Sequence, residues 1–246
     1  MNIVVCISQV PDTTTKVTVA PDGKKISSAG VKFILNPYDE FALEEGLQLR
    51  AKYGGSVTAV TVGGDSAKEI LRTALAMGVD KAVLIKDDER ADSFGVAHNL
   101  AEAAREADIA ILGRQSIDFD SYGTAAMTAE LLNLPSASMV SKLSIDGTKV
   151  VAECDIDGGK ETIELSLPCV ISVQKGLNEP RYPKLPDIMK AKSKPIEERA
   201  SAGVAPRVRT LSMELPKSSR IGKVLGDSDA DIQELVRLLH EEAKAI

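Results

Sequence analysis

The chain has 246 residues, of which 43% are hydrophobic and 27% charged, and it carries a formal net charge of −6. This length and composition are typical of one large globular domain, alone or with an appendage. Aromatic residues total 3% and tryptophan is absent, which excludes a platform for stacking nucleic-acid bases, and the acidic balance argues against a nucleic-acid partner.

Up to about residue 135, short β-branched runs alternate with helical periods, a pattern that predicts an α/β domain with a mainly parallel sheet. The predicted strands are largely apolar, as strands covered on both faces must be, and comprise residues 3–7, 56–62, 82–85 and 109–112. Helices are predicted from Pro37 to about residue 52, over 67–75, over 93–105 and over about 121–132. Asn36 and Asp65 are the expected N-caps of the first two helices, and Gly78 follows the end of the second.

After residue 136 the pattern changes to an antiparallel extension. Strands are predicted over 138–145, 149–156 and 161–165, separated by the turn signals Asp146-Gly147 and Asp157-Gly158-Gly159. From residue 177 the prolines are too frequent for regular structure. Residues 200–220 are predicted as an extended arm, and Ser228 as the cap of an amphipathic helix that reaches about residue 245. We therefore divide the chain into a domain over 1–199 and a C-terminal arm and helix over 200–246.

Three predicted strands end in loops with unusual residues, namely 8–12, 63–66 and 113–124. Ligands of open α/β sheets bind at such carboxyl ends, and the glycines of the second loop let backbone N–H groups approach an anion. In the third loop Ser121 and Thr124 present hydroxyls, while Asp118 and Asp120 can accept from ribose. The loops carry neither a GxGxxG fingerprint nor a P-loop, so they predict holding a nucleotide rather than hydrolysing one. The alternative, that they are ordinary turns, stays open at this point.

The segment 177–194 combines charge with apolar side chains. Between Arg181 and Lys194 there are five basic residues and one acid, Asp187. Leu185, Ile188 and Met189 lie among them, and an apolar anchor with a charged rim is typical of a transient docking surface. The alternative is that these three side chains fold back into the core.

Cysteines and histidines are too few and too scattered for a metal site. Cys6, Cys154 and Cys169 form neither a disulfide framework nor a zinc motif. No apolar run approaches the ~20 residues of a membrane span, and no basic leader segment precedes the first strand. We expect a cytoplasmic protein without membrane insertion, and we find no nucleophile or carboxylate pair that predicts bond-breaking catalysis.

Six motifs follow one another in an order that spans nearly the whole chain. They are Asn36-Pro37-Tyr38-Asp39-Glu40, Arg72-Thr73-Ala74-Leu75-Ala76-Met77-Gly78, residues 112–124, Asp155-Ile156-Asp157-Gly158-Gly159, Leu177-Asn178-Glu179-Pro180-Arg181-Tyr182 and Leu185-Pro186-Asp187-Ile188-Met189-Lys190-Ala191-Lys192. Together they resemble the beta subunit of electron transfer flavoprotein. The resemblance implies a Rossmann-like, doubly wound fold and a heterodimer whose alpha subunit holds most of the FAD site and packs on residues 200–246.

The resemblance also implies partners and ligands. Electrons would come from acyl-CoA and related dehydrogenases and pass to a quinone oxidoreductase, so the chain is an electron-carrier subunit rather than an enzyme. The beta subunit would hold a structural AMP at the positions Cys6, Asn36, Pro37, Tyr38, Asp39, Val62, Gly63, Gly113, Arg114, Gln115, Ser116, Ile117, Asp118, Phe119, Asp120, Ser121, Tyr122, Gly123 and Thr124. The docking positions would be Leu185, Pro186, Ile188, Met189, Lys190 and Lys192.

Two departures from the family pattern leave alternatives open. Thr13 stands where many members carry an aromatic residue near the flavin, and residues 121–123 read Ser-Tyr-Gly where amides are commoner. Residues 9–14 resemble a bifurcating branch of the family, which holds a second FAD in place of AMP. A non-redox adenine-nucleotide sensor with the same architecture is the other alternative.

Overall fold

A computed structural model describes residues 1–87, 92–216 and 222–246. Its strands are β1 (Asn2–Cys6), β2 (Gln9–Pro11), β3 (Phe33–Leu35), β4 (Ser56–Gly63), β5 (Lys81–Lys86), β6 (Ile109–Gly113), β7 (Ser136–Asp146), β8 (Lys149–Ile156), β9 (Gly159–Ser166), β10 (Cys169–Val173) and β11 (Glu197–Ala200). Its helices are α1 (Pro37–Tyr53), α2 (Lys68–Met77), α3 (Ser93–Ala104), α4 (Gly123–Leu132), α5 (Leu185–Ala191) and α6 (Asp229–Arg237).

Nine strands form one sheet in the order β11-β5-β4-β1-β6-β10-β7-β8-β9. The strands from β11 to β7 are parallel, while β8 and β9 add an antiparallel extension. This confirms the predicted doubly wound, mostly parallel α/β fold with its antiparallel extension. The strand order reverses at β1, which has β4 on one side and β6 on the other, and such a switch point opens a crevice at the carboxyl ends of the strands.

Two apolar clusters cover the two faces of the sheet. Ile3 and Val5 of β1 pack with α1 and α2, whereas Val4 and Cys6 pack with α3 and α4. Successive strand residues point to opposite faces, so a strand buried on both faces needs an unbroken apolar run. This is why the apolar runs predicted the central strands correctly.

Several boundaries differ from the sequence predictions. Residues 65–67 form a short 3-10 turn before α2, and α4 begins at Gly123 rather than at 121. The prediction of irregular structure after 177 was wrong for α5, because Pro186 stands in the first helical turn, where its missing N–H is not needed. The Ser228 cap is confirmed by a bond from Asp231 N, but α6 ends at Arg237 and a π-helical turn over Leu238–Glu242 follows it.

The C-terminal arm begins along α3. Asn99 Oδ1 accepts a hydrogen bond from Ala202 N at 2.8 Å, and Asp92 Oδ2 accepts from Arg207 N and Val208 N at 2.6 and 2.8 Å. Residues 217–220 of the predicted arm lie outside the described residues. Helix α6 buries none of its residues. In the described ranges, no helix has the length and apolarity needed to cross a membrane.

Candidate functional site

Asp39 joins the carboxyl ends of the two strands that flank the crevice. It lies in the first turn of α1 and is 3% exposed, and its carboxylate accepts hydrogen bonds from Ser8 N at 2.7 Å and Gly113 N at 3.1 Å. Gly113 is required by this contact, because a Cβ there would lie 2.3 Å from Asp39 Oδ1 and 2.8 Å from the Cβ of Tyr38. The start of α1 therefore sits directly against the end of β6.

Burial gives this site an unusual charge state. It raises the pKa of Asp39 to about 7, although hydrogen bonds from Asn36, Ser8 and Gly113 act in the opposite direction. The neighbouring thiol of Cys6 is also buried, and burial together with the Asp39 charge raises its pKa to about 12. Cys6 is therefore a neutral packing residue and not a reactive thiolate.

Asn36 ties the third loop to α1. Its Nδ2 donates to Gln115 O at 2.9 Å and its Oδ1 accepts from Ile117 N at 3.3 Å. It occupies the N-cap position of α1 but makes no side-chain cap bond. The prediction of a capping side chain was therefore wrong, because the loop supplies better-placed partners for the buried amide.

The first and second loops also meet. Gln9 Nε2 donates to Ser66 O at 2.9 Å, and Ser66 Oγ donates to Gln9 Oε1 at 2.8 Å. Asp65 makes no cap bond to α2, contrary to prediction. Its carboxylate instead pairs with Lys68 and Lys86 at 2.6 and 2.9 Å, and these two ammonium groups lower its pKa to about 2. The structure thus brings all three predicted loops together at one edge of the sheet.

Arg114 carries a positive charge into the crevice. Its guanidinium lies 4.9 Å from the ring centre of Tyr38 and 5.4 Å from that of Tyr122, within cation–π distance of both rings. It donates to Gln115 Oε1 at 2.8 Å, to the Tyr122 hydroxyl at 3.2 Å and to the side chain of Gln174. These acceptors are uncharged, so they orient the guanidinium without neutralising it.

The N-terminus of α4 lies next to this arginine. Tyr122 is its N-cap residue and makes no side-chain cap bond. Gly123 and Thr124 of the first turn are half-buried. A helix N-terminus carries partial positive charge and backbone donors, so this end of α4 and Arg114 suit an anion the size of a phosphate. The donor set therefore fits a phosphate group.

The remaining predicted residues of the third loop have mixed environments. Asp120 has a positive φ of 49°, its N donates to Ser116 O at 2.9 Å, and its carboxylate accepts from Gln115 Nε2 at 2.5 Å. Phe119 is exposed. Ile117, Asp118 and Ser121 of this loop are half-buried, as are Pro37, Val62 and Gly63 among the other predicted positions.

Two clefts lie outside this loop. One of about 340 Å³ lies between β3, the start of α1 and α2, and one of about 370 Å³ lies at the opposite, amino edge of the sheet beside Arg105 and Arg199. Of the described residues lining them, Pro37 alone belongs to the predicted nucleotide site, whose ligand stays a prediction. Within the described ranges, no three His, Cys, Asp or Glu side chains are grouped to hold a metal ion.

The predicted docking residues lie on α5 and its flanks. Leu185 is 72% and Met189 59% exposed, and Ile188 is also exposed, so the alternative that they fold into the core is wrong. Pro186, Lys190 and Lys192 are exposed beside them, while Ala191 is buried against the domain. The helix thus presents apolar side chains in a basic rim.

Two residues that support Arg114 were not predicted from the sequence. Gln174 Nε2 donates to Asp155 Oδ2 at 2.8 Å, and Asp155 Oδ1 accepts from Ser141 Oγ at 3.0 Å. Gln174 follows β10 directly at the same carboxyl edge as Arg114. The mainly apolar run Cys169–Val173 is the signal that could have located Gln174, because it predicts a strand that ends just before this residue.

Comparison with known proteins gives one consistent family. The family model described as "Electron transfer flavoprotein domain" matches residues 24–203. The chain is 42% identical to the electron transfer flavoprotein subunit beta of Bacillus subtilis over the whole length of both. It is 39% identical to that of Bradyrhizobium diazoefficiens over 99% of each chain. It is 36% identical to that of Homo sapiens over 97% of this chain and 99% of the human one.

Proposed function

The chain belongs to the family of electron transfer flavoprotein beta subunits, and we propose that it pairs with an alpha subunit that holds most of an FAD site. Bound FAD stores the electrons; this chain forms one wall of the flavin site, docks the donors and breaks no bond itself. The donors are acyl-CoA and related dehydrogenases, and the acceptor is a quinone oxidoreductase. The names of the two bacterial relatives carry no mitochondrial label, and we extend the proposal to a cytoplasmic location.

The observation that carries this proposal is the exposed apolar surface of the C-terminal part. Helix α6 buries nothing, yet Ile232, Leu235 and Val236 form an apolar stripe on it. Val208 and Val224 of the arm are 73% and 97% exposed. A surface of this kind marks a protein interface. Its proposed occupant is the alpha subunit.

The proposed ligand of the crevice is AMP. Its phosphate would be held by Arg114 and the first turn of α4, and its ribose by Asp118 and Asp120. Cys6 and Val62 would supply apolar contacts. Support comes from Arg114, whose hydrogen-bond acceptors among the described residues are uncharged, and from the N-terminus of α4, where Tyr122 makes no side-chain cap bond. AMP has no redox chemistry, so its role here is to stabilise the folded subunit by mass action.

Helix α5 is the proposed docking element for the dehydrogenases. The support is its exposed Leu185 and Met189 within a rim of Lys184, Lys190 and Lys192. One aliphatic anchor with steering charges gives fast and weak association, which suits a carrier that must release its donor.

Co-expression with an alpha-type subunit tests the proposal. We expect a yellow 1:1 complex that releases one FAD and one AMP on heat denaturation and chromatography. Two FAD and no AMP would identify the bifurcating alternative. A colourless monomer that retains AMP would overturn the carrier proposal and favour the nucleotide sensor.

A further inference from the structure

The docking helix α5 is too short to be stable by itself. It has seven residues, its N-cap residue Lys184 makes no side-chain cap bond, and only Ala191 is buried. Isolated helices shorter than ~12–15 residues are marginal in water. Contacts outside the helix must therefore hold it in place, and the structure provides them at both ends.

The contact before α5 is an ion pair with α1. Arg181 Nε and Nη2 donate to the two carboxylate oxygens of Glu44 at 2.7 and 2.8 Å, and the backbone N of Arg181 adds a third bond at 3.2 Å. The Glu44 side chain is 5% exposed. Asn178 Nδ2 donates to Phe41 O at 3.1 Å and Glu45 Oε2 at 3.0 Å, so the same stretch is bound to α1 twice.

At the end of α5, the contact is made by Arg72 of α2. Arg72 Nη1 donates to Ala191 O at 2.7 Å and also to Lys194 O. The first of these carbonyls belongs to the last residue of α5, and the second lies three residues further on. A charged donor shared by two carbonyls fixes where the helix ends.

We propose that Glu44 and Arg72 are positioning residues that set α5 in its docking geometry before a dehydrogenase arrives. This inference rests on the proposed docking function. Because both ends are already fixed, α5 does not have to fold when the dehydrogenase binds. The entropy lost in ordering this segment therefore does not weaken the association. The ion pair with Glu44 also neutralises the charge of Arg181. The positive charge that attracts the donor is therefore supplied by the neighbouring lysines.

Glu44→Gln in the complete heterodimer tests this proposal, with Glu102→Gln as its control. Both variants lose one carboxylate, but Glu102 lies on α3, on the face of the sheet opposite α1 and α2, and pairs with Arg105 three residues away. We expect amide hydrogen exchange over 181–194 to become at least about tenfold faster in Glu44→Gln and to stay unchanged in the control. Arg72→Gln should give the same change from the other end, and it replaces Glu44→Gln if that variant does not assemble.

The kinetic readout is reduction of the carrier by an acyl-CoA dehydrogenase that has been reduced with its substrate. We expect the second-order rate constant to fall about tenfold, while the limiting rate at saturation and the reduction by dithionite do not change. Unchanged exchange would overturn the proposal, as would faster exchange with unchanged association. If Leu185→Ala also left association unchanged, the docking function itself would be wrong, whereas the exchange data would still report on the two contacts.

Discussion

Asp39→Asn should remove a pH dependence of stability that this single carboxyl imposes. Its pKa of about 7 in the fold lies above the ordinary value of 3.8 because of burial. Between these values the folded state binds more protons than the unfolded state, so stability falls as the pH rises from about 4 to 7. Three pKa units correspond to about 4 kcal/mol, at ~1.4 kcal/mol per unit. This carboxyl is almost fully buried, so solvent does not screen the effect.

The assay is urea unfolding of the heterodimer followed by circular dichroism, at intervals between about pH 5 and 8. At pH 5 the folded wild-type carboxyl is itself protonated, but its hydroxyl oxygen can still accept a backbone N–H. The NH2 group of the amide cannot, so we expect the variant to be less stable at pH 5 by about 1–3 kcal/mol. As the pH rises from 5 to 7, the difference in the free energy of unfolding should shift in favour of the variant by up to ~1.4 kcal/mol per pH unit. Asp80→Asn is the control, since bonds from Val57 N and Arg50 hold the pKa of Asp80 below its usual value despite desolvation. If the free energy of unfolding varied with pH in the same way for the wild type and for Asp39→Asn, Asp39 would not be the source of the pH dependence.

Three further substitutions test the proposed sites. Leu185→Ala should slow electron acceptance in stopped-flow reduction and leave the flavin spectrum and the melting temperature unchanged, because this side chain is mostly exposed; normal transfer kinetics would contradict the anchor role. Val62→Asp should lower both the AMP content and the melting temperature, and a normal AMP content would contradict the placement of the pocket. Arg114→Gln should weaken AMP retention in dialysis about tenfold or more, whereas Lys175→Gln, which removes the same charge from an exposed position, should retain AMP normally.

Much of the fold could be predicted because the central strands are buried on both faces. Their apolar runs are local signals, and the helices between them carry clear periods. Strand β11 reads Glu-Glu-Arg-Ala and is exposed throughout, so no local signal predicts it. It becomes a strand because it pairs in parallel with β5, which is a tertiary effect.

The positions of the candidate site were easier to predict than its contacts. Loops after parallel strands must meet at one edge, which located residues 8–12, 63–66 and 113–124. Asp39 lies near the start of a predicted helix, but sequence alone does not indicate that it is buried and accepts bonds from Ser8 N and Gly113 N. The two cation–π contacts of Arg114 likewise depend on Tyr38 and Tyr122, which are far apart in sequence.

Helix α1 supports both proposed sites, and this leads to a joint prediction. In its first turn Asp39 accepts bonds from Ser8 N and Gly113 N at the crevice. Further along the helix, Glu44 binds Arg181, which precedes the docking helix α5. Gly46 lets the helix lie against the sheet, because an added Cβ would come within 2.8 Å of Val5 Cγ2. Gly46→Ala should therefore displace α1, and we expect lower AMP retention together with faster hydrogen exchange over 181–194. Val5→Ala added to Gly46→Ala makes room for the new methyl group and should restore both properties in part. Loss of one property without the other would show that α1 does not act as a common support.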